Sequence, residues 1–345
     1  MGRENETQAV GQCEDLDGKA STQLDKVQPR RLQSKKGRCH MHESIGKLAA
    51  AAMTCACLFV FSVGAHAVNL NVYCGGRGLT SVNAALKLLN PSVPNTLTIS
   101  GTCKENVLIQ GFNRLTLTGR PGATINDASG GTGFVVDVED SPAVSIQNLT
   151  IKGGSLGVQC SMFSVCHFDG NTVQGASIAG IQVVQSRATF GVNTIQNNGT
   201  GLVCLESSSC RTFGGLIIQQ NQGDGVNVST NGSFATFGDT IQNNGNNGIA
   251  SYNHGSLLLL GTTVTGNSAT GVFVVGQSAA VFAGSNVVTG NAYGVFVRDV
   301  SYAEFSGDTM TGNWTGMDVY CQPQFPATRG ALTNIGGGIT NCVEP

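Results

Sequence analysis

Beyond residue 67 the chain has two histidines, His167 and His254. Neither belongs to a motif that does chemistry on its own. There is no HExxH, no phosphate-loop glycine pattern and no GxSxG nucleophile. The residues that could meet a ligand recur at a spacing instead. Four to eight positions after a series of regularly placed glycines come Asp137, Glu139, Asp140, Arg187, Glu206, Tyr252, Asn253, His254, Arg298, Asp299, Tyr302 and Tyr320. If coils of chain stack at the ~4.8 Å strand spacing, these residues share one ridge, with His254 and Arg298/Asp299 two coils and roughly 10 Å apart. Tyrosine rings can stack on sugar faces, while arginine and asparagine bond to hydroxyls or carboxylates. Glu206, Tyr252, Asn253, His254, Arg298, Asp299, Tyr302 and Tyr320 are therefore the expected glycan-binding ridge. Sparse charges at solvent-facing turns also suit any soluble solenoid, and Arg298–Asp299 fit that plainer account as well. A hydrolase needs two carboxylates about 5–10 Å apart, and no such pair stands out, so no catalytic residues are assigned. Asp169, Asp239 and Asp308 stand beside glycines in a second set of turns. They suggest turn chemistry, and neither a metal nor a cofactor is expected.

The elements that would position this ridge are legible as a repeat. Glycines followed by an apolar residue fall at 133, 157, 180, 201, 225, 248, 271, 294 and 316, spaced 21 to 24 residues apart. A large apolar position keeps step at Phe168, Phe190, Phe213, Phe237, Leu260, Phe282 and Phe305. An aliphatic one follows at Val173, Ile195, Ile218, Ile241, Val264, Val287 and Met310. Three residues later, or four after Val287, an asparagine usually follows: Asn198, Asn221, Asn244, Asn267, Asn291 and Asn313. Each unit holds short β-branched runs bounded by Gly, Asn, Ser and Asp, with no helical period, so it reads as strands and turns. A unit near 23 residues is too short for a propeller blade, which needs about 40. It fits one coil of a parallel β-solenoid. The asparagines are then expected to stack as a structural ladder, each bond contributing on the order of 1 kcal/mol. "SVNAALKLLNP" from Ser81 predicts a short amphipathic helix, capped by Ser81, that plugs the open N-terminal coil. "PQFPATRGALTNIGGGITNC" predicts an irregular final coil and cap.

With its ~23-residue coils, asparagine corner and the entry "TISGTCKENVLIQGFNRLTLTGRPGATI", the chain resembles bacterial right-handed parallel β-helix repeat proteins of the pectin-lyase-like superfamily. The resemblance covers roughly residues 70–342. It implies an all-β, single-stranded, right-handed solenoid of about ten coils. The handedness comes from the family. Family enzymes that cleave sugars carry paired aspartates with "GHG" and "RIK", or a calcium-binding carboxylate cluster with an arginine base. Here "NHG" at Asn253–Gly255 comes nearest and lacks acidic partners. The expected function is an exported, non-catalytic protein that binds glycan or cell-envelope material. A divergent lyase or hydrolase of uronate-containing polysaccharide is the alternative.

Residues 1–40 are charged and lack any apolar period. Residues 41–67 read as a signal peptide: Lys47, an apolar run from Leu48 to Val63, and "AHA" ending at Ala67. Translation is expected to start at Met41, with 1–40 an artefact of the gene model or a disordered leader. Residues 68–105 then form the N-terminal cap and first coil, and 106–342 the β-helix with its C-terminal cap. Nine of 19 basic and seven of 21 acidic residues precede Val68. The remainder is near −4 without a basic stripe, so no nucleic-acid partner is expected. After cleavage no membrane contact is expected either, and the protein should be a monomer in the periplasm, on the cell surface or outside the cell. Eight cysteines remain: Cys74, Cys103, Cys160, Cys166, Cys204, Cys210, Cys321 and Cys342. An even number in an exported chain favours disulfides. Spacing suggests 160–166 and 204–210 as corner staples, 74–103 at the N-terminal cap and 321–342 at the C-terminal end. Zinc is the rival reading, but these pairs lack the usual ligand spacing.

Overall fold

A computed structural model describes residues 66–322, 335–336 and 338–342. The expected leader, and the signal peptide save its last two residues, lie outside them. The described chain is a parallel β-solenoid of about 11 turns, ~23 residues each. Its strands form three stacks, A, B and C, met in that order within a coil. Stack C is a separate ten-stranded sheet. Stacks A and B are continuous because the long strand Pro94–Lys104 pairs with Arg114–Gly119 through its first half and Thr124–Asn126 through its second. Every strand pairing is parallel, and residues alternate inward and outward, as in Thr240–Gln242 where only Ile241 is buried.

The interior is a set of vertical columns. Ile125, Ile151, Val173, Ile195, Ile218, Ile241, Val264, Val288 and Met310 stack in register in stack B, all fully buried. The repeat had pointed to Val287, but an extra residue in that coil's A-to-B turn moves the inward role to Val288. Phe168 stacks on Phe190 at 5.3 Å and Phe282 on Phe305 at 4.8 Å in stack A. Between them Phe213, Phe237 and Leu260 do not face inward as the period suggested. Phe213 is 62% exposed and Leu260 41%. Their inward neighbours are Thr212, Thr236 and Leu259. The threonine hydroxyls bond the buried Asp239 carboxylate, with Thr236 Oγ1 at 2.6 Å, and Thr236 also meets Thr262 Oγ1 at 3.0 Å. A polar bracket fills this part of the corner, and the aromatic residues turn outward.

The asparagine ladder closes the B-to-C corner. Asn198 Nδ2 donates to Asn221 Oδ1 at 3.1 Å, and Asn221, Asn244, Asn267 and Asn291 each do the same to the next coil at 2.9–3.3 Å. The last, Asn313, donates to Asp318 Oδ1 at 2.8 Å. Each Nδ2 also donates to a backbone carbonyl of the preceding coil, so the buried amides are satisfied. The repeated glycine lies directly against this ladder. A methyl group on Gly225, Gly248 or Gly294 would come 2.7 Å from the ladder Nδ2, too close to fit. Only Gly157 to Gly294 hold this position. Register puts Val135 and Asp318 there in the flanking coils, in place of Gly133 and Gly316.

The cap helix is shorter than the sequence suggested, Val82–Leu86. Ser81 Oγ accepts from Ala84 N, and the Glu105 carboxylate accepts from Val82 N at 2.7 Å and Asn83 N at 3.2 Å. These bonds satisfy the first-turn amides. Val82, Ala85 and Leu86 bury against the first coils. Four disulfides join Cys74–Cys103, Cys160–Cys166, Cys204–Cys210 and Cys321–Cys342. The two short loops span the C-to-A corner, and the other two lie at the two ends.

Candidate functional site

The outward face of stack C changes character along the axis. In register from the N-terminal side stand Leu108, Asp137, Gln159, Gln182, Val203, Asn227, Ala250, Phe273, Phe296 and Tyr320. The last three, with Tyr252 and Tyr293, form a half-buried aromatic ladder. Centroid distances are 5.8 Å for Tyr252–Phe273, 5.4 Å for Phe273–Phe296 and 4.7 Å for Phe296–Tyr320, all edge-to-face. Tyr293 leans on Phe296 and Tyr320, each at 5.6 Å. The strand pattern makes this ladder. In "GVFV" at Gly271 and again at Gly294 the two valines point in, so the phenylalanine between them points out. Arg298 lies over the Phe273 ring, its Cζ 5.2 Å from the centroid. Its Nε is 3.3 Å from Asp299 Oδ2, the only ion pair among the described residues, with both side chains over 40% exposed.

The expected ridge divides in the structure. Tyr252, Arg298 and Tyr320 join the aromatic ladder. Glu206, Asn253, His254 and Asp299 lie in the C-to-A turn, all with left-handed φ between 47° and 66°. Met162/Phe163 and Thr230/Asn231 take the same conformation in their own coils, so the strain belongs to the corner and marks no site. Asn253 and His254 are exposed, and Glu206 projects two coils away. Tyr302 lies around the corner on stack A, where its hydroxyl donates to Glu304 Oε2 at 2.7 Å. Phe273, Tyr293 and Phe296 were absent from the expected ridge. The signal was available as strand alternation, but a count from the glycine that began at the fourth position passed over them.

Close enough for its charge to act on Tyr252 is Asp224, 7% exposed. Asn246 Nδ2 at 2.8 Å, Asn247 N at 3.1 Å and Asn247 Nδ2 at 3.0 Å all donate to its Oδ1. Burial pushes the Asp224 carboxyl up, against the pull of these amides. Burial and the Asp224 charge together push the Tyr252 hydroxyl to about 12, opposed by Arg298. Tyr252 is therefore a neutral donor and a stacking ring at physiological pH. At the other end of the face Asp137 and Glu139 project from one strand. Burial first, then the neighbouring Glu139 carboxylate, pushes Asp137 up to about 6. Gln110 Nε2 donates to Glu139 Oε2 at 3.1 Å. Six rungs, about 29 Å, separate this acid pair from Phe273.

As for metals, one grouping of potential ligands occurs among the described residues, Cys74, Cys103 and Glu105. Its thiols form a disulfide and its carboxylate caps the helix, so it has no free ligand set. Asp239 and Asp308 are buried in the A-to-B corner, where they accept bonds from other coils: Asp239 Oδ1 from Leu216 N at 2.9 Å and Asp308 Oδ1 from Asn286 Nδ2 at 2.7 Å. Asp169 is exposed and accepts from Val192 N at 3.0 Å.

Residues 179–328 match the family described as "Right handed beta helix region". Among solved structures, pectate lyase Pel9A is similar with a TM-score of 0.52 at 14% identity, over 74% of each chain. The A-module of the Azotobacter vinelandii mannuronan C-5 epimerase AlgE6 is similar with a TM-score of 0.49 at 15% identity, over 76% of this chain and 94% of that one. No curated protein matches the chain. At 14% identity the likeness to Pel9A is one of fold, and with the family model it supplies the hand of the winding that the repeat length left open. The chain folds as a right-handed parallel β-helix.

Proposed function

We propose that this is an exported, non-catalytic protein that binds glycan through the aromatic face of stack C. The observation that carries this reading is the ladder Tyr252–Phe273–Phe296–Tyr320, half-buried, facing outward and flanked by Arg298. Outward aromatic residues on a β-solenoid gain nothing for the core. The ladder offers an apolar aromatic surface for sugar rings to pack against, with the Tyr252 hydroxyl, the Arg298 guanidinium and exposed Asn253 and His254 beside it for sugar hydroxyls. Four disulfides suit an oxidising compartment outside the cytoplasm: periplasm, cell surface or medium. The test is migration of the full, oxidised chain in gels loaded with neutral or uronate-containing polysaccharide, beside an assay for new reducing ends and unsaturated sugars. Retardation without product supports a binding module. Product formation overturns it.

One observation favours the alternative of a divergent lyase or hydrolase. Asp137, at about 6, titrates near neutrality as an acid–base group would. The pectate lyase similarity adds only an analogy of fold. Against it, the neighbouring carboxylate Glu139 is already held by Gln110 Nε2 at 3.1 Å.

A further inference from the structure

The outward face of stack B carries a pattern that neither the core nor the aromatic ladder explains. From Thr172 onward its first outward column reads Thr172, Thr194, Ile217, Thr240, Thr263, Val287 and Thr309, one residue per coil in unbroken register. Six steps at the strand spacing make it about 29 Å long. Two residues on, about 6.6 Å away, runs a second column of Gln174, Gln196, Gln219, Gln242, Thr265 and Thr289. No outward residue of these strands is charged. Lys152 pairs below Gln174 and exposed Asp169 lies in the turn before Thr172, so the charges stop at the N-terminal margin.

The two columns differ in what they do with their polar groups. Gln196 Nε2 donates to Gln174 Oε1 at 3.1 Å, Gln219 Nε2 to Gln196 Oε1 at 3.0 Å, and Gln242 Nε2 to Gln219 Oε1 at 2.9 Å. Side-chain ladders of this kind hold a stacked sheet flat. Thr172, Thr194, Thr240, Thr263 and Thr309 are partly or fully exposed. Among the described residues their hydroxyls take no protein partner, unlike Thr124, whose Oγ1 donates to Gly122 O at 3.3 Å. Strand propensity and cross-strand threonine pairs favour threonine in any outward column. They do not account for its uniformity on one face. The matching column of stack A mixes His167, Arg211, Leu258 and Glu304. That of stack C mixes Asp137, Val203, Asn227 and Phe273.

We propose that this face binds the surface of ice, through the layer of water that its threonine column orders. The two columns hold no ring to stack on a sugar and no charge for an ion, a phosphate or a charged peptide. They offer methyl and hydroxyl groups on a fixed grid, about 4.8 Å by 6.6 Å. A ligand that matches such a grid must itself repeat. Rows of oxygen atoms in hexagonal ice do so at close to these spacings. The threonine methyl groups make adjacent water close its hydrogen bonds around them, and the hydroxyls tie that water to the grid. The glutamine ladder fixes the grid beforehand, so little ordering entropy is lost on contact. Ile217 and Val287 keep the branched shape without the hydroxyl, which makes them the two gaps in the column.

The test uses the full, oxidised chain and reads its partition into slowly grown ice, the gap between freezing and melting points of a single ice crystal, and its sedimentation. Wild type is expected to enter the ice, to hold a freezing gap and to sediment as a monomer. Thr194→Lys/Thr240→Lys puts charge on the grid and should lose both ice signals while melting as wild type. Ile217→Thr fills a gap in the column and should widen the freezing gap, a gain that misfolding cannot mimic. Ser256→Lys, exposed on stack A, should keep the wild-type ice signals. So should Tyr252→Ala/Phe273→Ala, which lets this site stand or fall apart from the aromatic one. Exclusion of wild type from ice overturns the proposal, as do unchanged ice signals in the lysine variant. A wild-type dimer that the two lysines split overturns it as well, because a second copy of the chain would then cover the face.

Discussion

Arg298 reaches back one coil to lie over the ring of Phe273, 5.2 Å from its centroid, while Phe296 meets the same ring edge-on at 5.4 Å. Tyr252 meets it from the preceding coil at 5.8 Å, so Phe273 is the centre of the aromatic face, touched from both neighbouring coils. Phe273→Ala should remove the shared contact and weaken glycan binding by about tenfold, and Phe273→Tyr should preserve it. Arg298→Ala should cost less, roughly threefold, because its partner Asp299 is exposed and can be solvated. Titration of the four proteins with the same oligosaccharide measures the order. Equal affinity for wild type and Phe273→Ala would refute the aromatic site.

The repeat was legible because asparagine and glycine serve one contact. Asn267 needs its amide inside the corner, and Gly248 must leave room for it, so both recur through the central coils. The aromatic ladder was harder to see. Its residues lie between valines in runs that look uniformly apolar, and only the in–out alternation separates Phe273 from Val272 and Val274. Phe213 and Phe237 misled in the opposite direction, matching the core period while Thr212 and Thr236 took the inward places beside Asp239. The column on stack A that joins Arg114 to Arg187 was illegible for another reason. Arg114 and Arg187 are 73 residues apart, and only strand register brings them into one column.

Asn244→Ala tests the ladder. The side chain donates to Asn267 Oδ1 at 2.9 Å and accepts from Asn221 N at 3.1 Å and Asn221 Nδ2 at 2.9 Å. Alanine would leave these buried groups unpartnered, at about 3 kcal/mol. Gly248→Ala keeps Asn267 but forces a methyl group against it, at about 1–3 kcal/mol. Both variants should melt below wild type, with Asn244→Ala at least as low as Gly248→Ala. Wild-type melting of Asn244→Ala would show that the ladder contributes nothing.

The disulfides should differ in worth. Cys74–Cys103 spans 29 residues and Cys204–Cys210 spans 6. On loop-closure entropy alone the longer bridge constrains the unfolded chain by about 1.4 kcal/mol more. Replacing both members of one pair by serine or alanine, one pair per variant, and comparing denaturant midpoints measures this. The N-terminal variant should be the less stable of the two, and the reverse order would show that local packing at the corner outweighs chain entropy.

Asp137 gives the pH dependence a sign. Its carboxyl titrates near 6 in the fold against 3.8 as an ordinary aspartate, because burial and Glu139 oppose its charge. Below about pH 3.8 the group is protonated folded or unfolded and contributes no slope. Between 3.8 and 6 the unfolded chain releases its proton first, so stability falls as pH rises. Above 6 the loss is complete and constant. The side chain is partly solvated, so screening reduces the effect to on the order of 1 kcal/mol. Asp137→Asn keeps the shape and removes the charge. It should raise the denaturant midpoint at pH 7.5 and leave it unchanged at pH 3. A variant less stable than wild type at pH 7.5 would mean that the Asp137 carboxylate is held by a favourable partner, and the acid pair would then be a built charge site rather than a strained one.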